Sequence, residues 1–456
     1  MNEQVTELLP GAELNATPRK AIPVQRSSVL GQILAMRKDL VGHLMALEKI
    51  NGPVWKVAIG RGGMIQLLGP DALEFVWKNR DGAFSSARGW EPYIGKVFPG
   101  AIMAMDGDQH RYQRRIMQVA FRKPALRTYL EQMGPAIDAG IDVWTPASGR
   151  PAARQMFPLL KQLTLDLAAS VFMGVELDRA QADRINKAFI DAVRAGLSII
   201  RYPVPGGRWR RGLQARRTLE AFFNEHLPAK RADGGDDLFA ALCQAETDDG
   251  HRFSDEDIVS HMIFVLMAAH DTSTITMTTM AYYLAKHPEW QERVREESRA
   301  LGKETLDFED LDRLVSLDLV MKECLRLVAP VPGLPRETVK DTSVLGYHVP
   351  AGTMVTISPN VNHHIADYWP DPDRFDPERF SADRREDKIH QYAWEPFGGG
   401  VHKCIGLHFG GMEVKSVMHQ VLLRYRWTVP AEYEWPLDMS TLPVPKDGLP
   451  VRLERI

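Results

Sequence analysis

The segment Phe397-Gly398-Gly399-Gly400-Val401-His402-Lys403-Cys404-Ile405-Gly406 places a cysteine in a glycine-rich loop that runs into a helical pattern. A thiolate can be a permanent metal ligand only if it stays deprotonated and shielded from water, so backbone N–H groups must point at its sulfur. Three glycines supply the turn, Gly406 lets the backbone approach the sulfur, and Phe397 is an apolar plate beside it. The segment suits a thiolate bound to haem iron, whereas a cysteine with two glycines alone would favour a buried, inert thiol.

The composition is that of an ordinary globular chain: 456 residues, 44% hydrophobic, 25% charged, net charge -3. Length alone predicts two or three domains, because single cores usually stop growing near ~250–300 residues. The cysteines have no paired spacing, which excludes a disulfide framework or a zinc site and favours a reducing cytosol. They are Cys243, Cys324 and Cys404.

Neither a signal peptide nor a membrane span is predicted near the start of the chain. The first 25 residues lack an apolar core. Ser28 to Leu47 is interrupted by three consecutive charged residues, so it favours an amphipathic helix over a span. We therefore expect a cytoplasmic protein.

Two strand regions flank a long helical stretch. Val54 to Ile59 and Met64 to Leu68 alternate around Arg61-Gly62-Gly63 and predict a hairpin. A second strand cluster is predicted near Thr342 to Ser358. Between them, Ser254 to Lys286 has a capping residue at its start and a proline after its end, which predicts a helix of roughly 50 Å.

The middle of that helix reads Ala268-Ala269-His270-Asp271-Thr272-Ser273. An acid beside a hydroxyl inside an apolar helix is costly to bury and needs an explanation. The alternative is that Asp271 faces solvent and Thr272 bonds back to a carbonyl. Two charged pairs also share helix faces, and their members are Glu323 with Arg326 and His110 with Arg114.

These segments, taken in their order along the chain, resemble the cytochrome P450 family from roughly residue 50 to roughly residue 430. The resemblance includes one further segment, Phe375-Asp376-Pro377-Glu378-Arg379-Phe380. The resemblance implies a mainly α fold with small β-sheets, and a single domain over residues 1–456. Haem would lie between the long central helix and the cysteine-loop helix. A smaller β-rich lobe would be formed mainly by residues 50–70 and 339–358.

The resemblance also assigns roles. Asp271 and Thr272 would relay protons to iron-bound dioxygen, although Ala269 stands where the family usually has glycine. Glu323, Arg326 and Arg379 would form a buried network under the cysteine loop, whose loss should leave mostly haem-free protein. Haem b would be held by Cys404 as the axial iron ligand, by Phe397, Gly398 and Gly406, and at its propionates by His110, Arg114, Arg336 and His402.

A haem-thiolate monooxygenase uses dioxygen and two electrons. The chain has no dinucleotide-binding glycine motif, so the electrons should come from a ferredoxin and a ferredoxin reductase. Basic residues that could form the docking face are Arg115, Arg122, Lys123 and Lys403. The alternatives are a peroxide-driven or isomerising enzyme, which usually lacks the acid–threonine pair, and a non-catalytic haem-based sensor or electron carrier.

The substrate should be bulky and lipid-like, a steroid or terpenoid first and a fatty acid second. The basic run from Arg208 to Arg217 lacks a nucleic-acid motif and indicates a solvated helix start. Its apolar neighbours between residues 199 and 205 resemble an entrance lid, so a transient membrane contact is a secondary hypothesis. The resemblance lines the pocket with Trp90, Tyr93, Phe98, Phe189, Leu266, Ala269 and Val331.

Overall fold

The computed structural model describes residues 20–25, 28–57, 63–145, 150–175, 179–196, 198, 201–439 and 442–456. The helices in this part of the chain are α1 Val29–Lys38, α2 Leu40–Asn51, α3 Pro70–Lys78, α4 Ser86–Ile94, α5 Gly107–Met117, α6 Lys123–Asp142, α7 Met156–Leu167, α8 Arg179–Gly196, α9 Arg208–Asp233, α10 Leu238–Gln244, α11 Asp255–Lys286, α12 Pro288–Ala300, α13 Val315–Leu327, α14 Pro359–Asn362 and α15 Leu407–Arg424. The strands are β1 Val24–Gln25, β2 Val54–Val57, β3 Met64–Leu67, β4 Phe84–Ser85, β5 Ala152–Gln155, β6 Leu334–Thr338, β7 Thr342–Val344, β8 Tyr347–Val349, β9 Met354–Ile357, β10 Tyr425–Thr428, β11 Leu437–Asp438, β12 Val444–Pro445 and β13 Pro450–Arg455.

Helix α11 is the axis of the fold, and its predicted start and end are confirmed. Ser254 caps it by accepting a hydrogen bond from the backbone N–H of Asp257, whose carboxylate accepts one from the Ser254 backbone. The helix ends at Lys286, before His287-Pro288. Most of its residues are buried because α7, α9, α13 and α15 pack around it. Helix α11 therefore lies where side chains from many elements can converge.

The largest sheet has the strand order β1-β2-β3-β9-β6-β4. Strands β2 and β3 pair antiparallel, with Val54 opposite Leu67, which confirms the predicted hairpin. The predicted turn at Arg61-Gly62 lies outside the described residues, and so does Ile59. The second strand cluster is confirmed as β7, β8 and β9, and β6 joins it although it lies before the predicted start at Thr342.

The amphipathic helix predicted over Ser28 to Leu47 is two helices. Asp39 ends α1 with an extended backbone and caps α2 by accepting a hydrogen bond from Gly42 N at 2.8 Å. An aspartate at an N-cap gains more from the free N–H groups of a helix start than from a position inside a helix. The expectation of one continuous helix was therefore wrong at Asp39.

Two described helical segments are long and apolar enough to cross a membrane by length and composition, Met156–Met173 and Asp255–Lys286. Both are mainly buried within the fold. The second is α11, whose apolar surface packs against the surrounding helices. Their hydrophobicity is thus explained by core packing.

Candidate active site

The cysteine loop is held by its own backbone hydrogen bonds. Cys404 N donates to Phe397 O at 2.9 Å, and Gly398 N donates to Glu395 O at 3.0 Å. Gly398 and Gly400 adopt positive φ angles of 65° and 61°, which glycine adopts without strain. Burial raises the pKa of the Cys404 thiol, while the Gly406 N–H and the Arg114 charge act in the opposite direction. The sulfur is thus approached by one N–H group of the loop and by two cations, Arg114 of α5 and Lys403 of the loop.

Cys404 combines a desolvated thiol with exposed surface. Part of α11 has the same character, since Met267, Ala268, Ala269 and Thr272 are partly exposed in a stretch that is otherwise buried. Residues 331–334 are also partly exposed. Because α15 follows the cysteine loop and packs against α11, we infer that these residues face one space.

Cationic and imidazole side chains gather at one edge of this space. Arg336 is only 5% exposed, and its Nη1 donates a hydrogen bond to Pro335 O at 2.7 Å. Arg114 donates to Lys403 O at 2.6 Å. The rings of His110 and His402 lie 4.0 Å apart, and burial together with His402 and Arg114 lowers the pKa of His110 to about 4.

Little negative charge balances this edge. Among the described residues, the carboxylate that interacts with these cationic and imidazole side chains is Asp106, which lies 3.6 Å from His402. Asp106 is itself occupied by hydrogen bonds from Ser85 and the backbone of Ser86. Burying Arg336 without a carboxylate partner is costly, so the site calls for an anion. The two propionates of haem b fit this need, and Cys404 fits the iron.

The two residues of the acid–threonine pair follow different alternatives. Asp271 is buried and does not face solvent, whereas Thr272 bonds back to a carbonyl of its own helix. Asp271 is buried and lies 3.1 Å from both Lys161 Nζ of α7 and His270 Nδ1. Burial raises the pKa of Asp271, but His270 and Lys161 outweigh it and hold the value at about 2. Thr272 Oγ1 donates to Ala268 O at 2.8 Å. Asp271 is therefore an ionised buried acid, whereas Thr272 bonds back to its own helix.

The charged network under the loop is fully buried. Arg326 Nε and Nη2 donate to the two oxygens of Glu323 at 2.7 and 2.9 Å. Arg379 Nε lies 3.4 Å from Glu323 and its Nη1 donates to Glu386 at 2.9 Å. The structure thus brings the three predicted residues together.

The predicted pocket residues fall into separate groups. The ring centres of Trp90 and Tyr93 of α4 lie 6.3 Å apart in an edge-to-face pair. Phe98, which follows α4 in the sequence, is buried. Phe189 and Leu266 line a small apolar cavity with His270, between α8, α11 and the end of α7. Ala269 and Val331 are partly exposed, in the two segments that we infer to face the same space as Cys404. His363 and His364 follow α14 in a turn. Among the described residues no metal-binding cluster of three occurs.

Sequence reasoning missed several buried polar residues near the site. Glu413 of α15 accepts a hydrogen bond from Ser273 Oγ of α11, and Glu395 accepts one from Trp77 Nε1. The available signals were local ones: an acid inside the apolar pattern of α15, and an acid between Trp394 and Pro396. Lys161 gave no signal, because it is one of many lysines on helix faces.

A mainly helical fold with small sheets, a glycine-rich cysteine loop before a helix that packs on a long central helix, and the buried Arg336, which has no ion pair among the described residues, define a haem-thiolate protein. The family model for cytochrome P450 matches residues 23–450, so the chain belongs to the cytochrome P450 family. It is accordingly a monooxygenase, an oxidoreductase that uses haem b, O2 and reducing equivalents from a partner.

The chain is similar to known members of this family over most of its length. Putative cytochrome P450 136 of Mycobacterium tuberculosis is 46% identical over 93% of this chain and 86% of its own. Abscisic acid 8'-hydroxylase 3 of Oryza sativa is 29% identical over 90% and 81%. The structure of cyanobacterial CYP120A1 with bound retinoic acid has a TM-score of 0.85 and 27% identity, over 96% and 100%.

Proposed function

We propose that the protein inserts one oxygen atom into an isoprenoid substrate, a terpenoid or a steroid. The observation that carries the proposal is the apolar, partly exposed stretch Met267–Ala269 of α11, which we infer to face the same space as Cys404 and residues 331–334. Apolar walls with few polar groups are typical of sites for lipid-like ligands. One similar protein has a structure with bound retinoic acid, and another is named an abscisic acid hydroxylase; both compounds are isoprenoids. A fatty acid is the second candidate.

The residues around the space would hold the haem. Cys404 would bind the haem iron through its thiolate, with Phe397 as an apolar shield and Gly398 and Gly406 allowing close approach of the backbone. Arg114, Arg336, His110 and His402 would bind the propionates. Bound haem supplies the activation of dioxygen with two electrons, and thiolate ligation favours cleavage of the O–O bond.

Protons would reach the space through Asp271. Lys161 Nζ, whose side chain is 30% exposed, contacts Asp271 Oδ1 at 3.1 Å, so the pair connects water with the middle of α11. We propose that Thr272 Oγ1 then exchanges its hydrogen bond to Ala268 O for one directed into the space. Asp271→Asn should lower turnover about 10²-fold, the low end of the range for a lost acid–base group. Unchanged turnover would exclude this route.

The electron donor is proposed to be a ferredoxin with its reductase. Arg115 is already paired with Asp249 at 2.7 Å, so it contributes little to a docking face. Arg122 and Lys403 have no ion pair among the described residues and are better candidates. Reduction by an acidic ferredoxin should slow as salt increases, because exposed charges are screened. If the reduction rate does not depend on salt, an acidic cytoplasmic ferredoxin is not the electron donor.

An optical titration of the ferric holoprotein tests the substrate class. Retinoic acid, a steroid, a neutral terpenoid and a fatty acid would be added separately while the spin state of the iron is recorded. Saturable conversion to high spin by an isoprenoid, followed by hydroxylated product with a ferredoxin system, is the expected result. Conversion by the fatty acid alone would replace the isoprenoid proposal.

A further inference from the structure

The three consecutive glycines before Cys404 pack against one residue, Trp77 of α3. A Cβ at Gly399 would lie 2.7 Å from the indole Cγ, and a Cβ at Gly400 would lie 2.1 Å from the Trp77 carbonyl oxygen. At Gly398 a Cβ would be 3.9 Å from the outer edge of the same ring. Trp77, only 4% exposed, therefore fills the space that side chains in the loop would need.

A buried carboxyl group fixes the indole from the other side. Trp77 Nε1 donates a hydrogen bond to Glu395, which lies two residues before Phe397. Asn362 Nδ2 donates to Glu395 at 3.4 Å, and Asn362 Oδ1 accepts from Gly69 N at 2.9 Å, at the start of α3. Both ends of α3 are thus tied to one buried polar group.

The same group connects to the two charged regions of the site. Glu395 N donates to His363 Nε2 at 3.0 Å, and His363 O accepts from Arg326 Nη1 at 2.8 Å. On the ring face, the guanidinium of Arg336 lies 5.5 Å from the centre of the Trp77 indole. Trp77 and Glu395 therefore link the cysteine loop, the buried arginine network and the cation edge of the haem site.

We propose that Trp77 and Glu395 are a positioning pair that fixes the backbone of the cysteine loop, so that the Cys404 sulfur keeps its hydrogen bond from Gly406 N–H in the holoprotein. Three glycines in sequence have many accessible conformations, so the loop needs an external constraint. The indole supplies the surface, and the bond to Glu395 fixes its orientation. Both residues act on the haem ligand only through the loop.

Four variants of the holoprotein test the pair. Glu395→Met removes the acceptor at similar volume, and Trp77→Phe removes the donor but keeps a ring. Glu395→Gln retains an acceptor. Trp55→Phe is the matched control, because Trp55 is fully buried in β2 and its indole N–H makes no hydrogen bond to any described residue. The readout is the rate at which the reduced carbon monoxide complex changes from a thiolate-ligated to a thiol-ligated spectrum at fixed temperature.

Glu395→Met and Trp77→Phe should raise this rate roughly five- to tenfold, because each leaves a buried polar group unsatisfied. Glu395→Gln and Trp55→Phe should stay within about twofold of the unmodified protein. If Glu395→Gln is as fast as Glu395→Met, or Trp77→Phe is no faster than Trp55→Phe, the proposal is wrong. It also fails if the rates of all four variants simply follow their urea midpoints. Should Trp77→Phe take up no haem, the two Glu395 variants still decide, since they leave the indole in place.

Discussion

The buried network of Glu323, Arg326 and Arg379 permits a quantitative test with Arg326→Met. Arg326 is fully buried and makes four hydrogen bonds, two to the Glu323 carboxylate and one each to His363 O and Arg374 O. Methionine fills much of the volume but leaves Glu323 with one backbone donor, Asp376 N at 2.9 Å, and the more distant Arg379. The variant therefore strands a buried carboxylate.

The expected loss follows from that stranded charge. Breaking a buried ion pair by removing one partner costs about 3–5 kcal/mol. At about 1.4 kcal/mol per factor of ten, this lowers the folding equilibrium constant by roughly two to three and a half orders of magnitude. Because Arg326 connects through His363 to Glu395, two residues before Phe397, purified Arg326→Met should also be mostly haem-free.

A neighbouring exposed pair provides the control. Arg293 donates to Glu378 at 2.6 Å, in the same segment as Arg379, but their side chains are 48% and 39% exposed. Arg293→Met should therefore cost less than about 1 kcal/mol. Urea unfolding and haem content would be measured for both variants. If both variants lose the same free energy of unfolding, or if Arg326→Met has normal haem content, the buried charge of Arg326 does not have the structural role assigned to it.

Three further outcomes are expected. Burial raises the pKa of Glu413 from 4.5 to about 7, so the folded state binds this proton more tightly than the unfolded state. The free energy of unfolding should therefore fall by about 3 kcal/mol as the pH rises from 4.5 to 7. Urea titrations of Glu413→Gln should show no such pH dependence. Gly89→Ala would place a Cβ 2.6 Å from the backbone of Arg336, so thermal unfolding should show a loss of about 1–3 kcal/mol, with weaker haem retention. Ser254→Ala removes the capping box of α11 and should cost about 1 kcal/mol by the same measurement.

Features determined by neighbouring residues could be predicted from the sequence. The ends of α11 depend on a capping serine and a proline within a few positions, and both were placed correctly. The Glu323–Arg326 contact is likewise an i, i+3 pair on one helix. The glycines of the cysteine loop were recognised as turn residues, but their closeness to Trp77 was not. Trp77 and Glu395 are separated by 318 positions, and no local pattern links them.

The ionisation of Asp271 illustrates why the remainder needs the fold. From its neighbours in the sequence alone, a solvent-facing Asp271 would be favoured, and only the family resemblance pointed to a functional acid in α11. Burial alone would favour the neutral form. The largest opposing contribution comes from the adjacent His270, and Lys161, 110 positions earlier, adds to it because α7 crosses α11 at the level of Asp271. The charge of this acid thus depends in part on helix packing, and Lys161→Met should raise the pKa of Asp271 without altering any residue of α11.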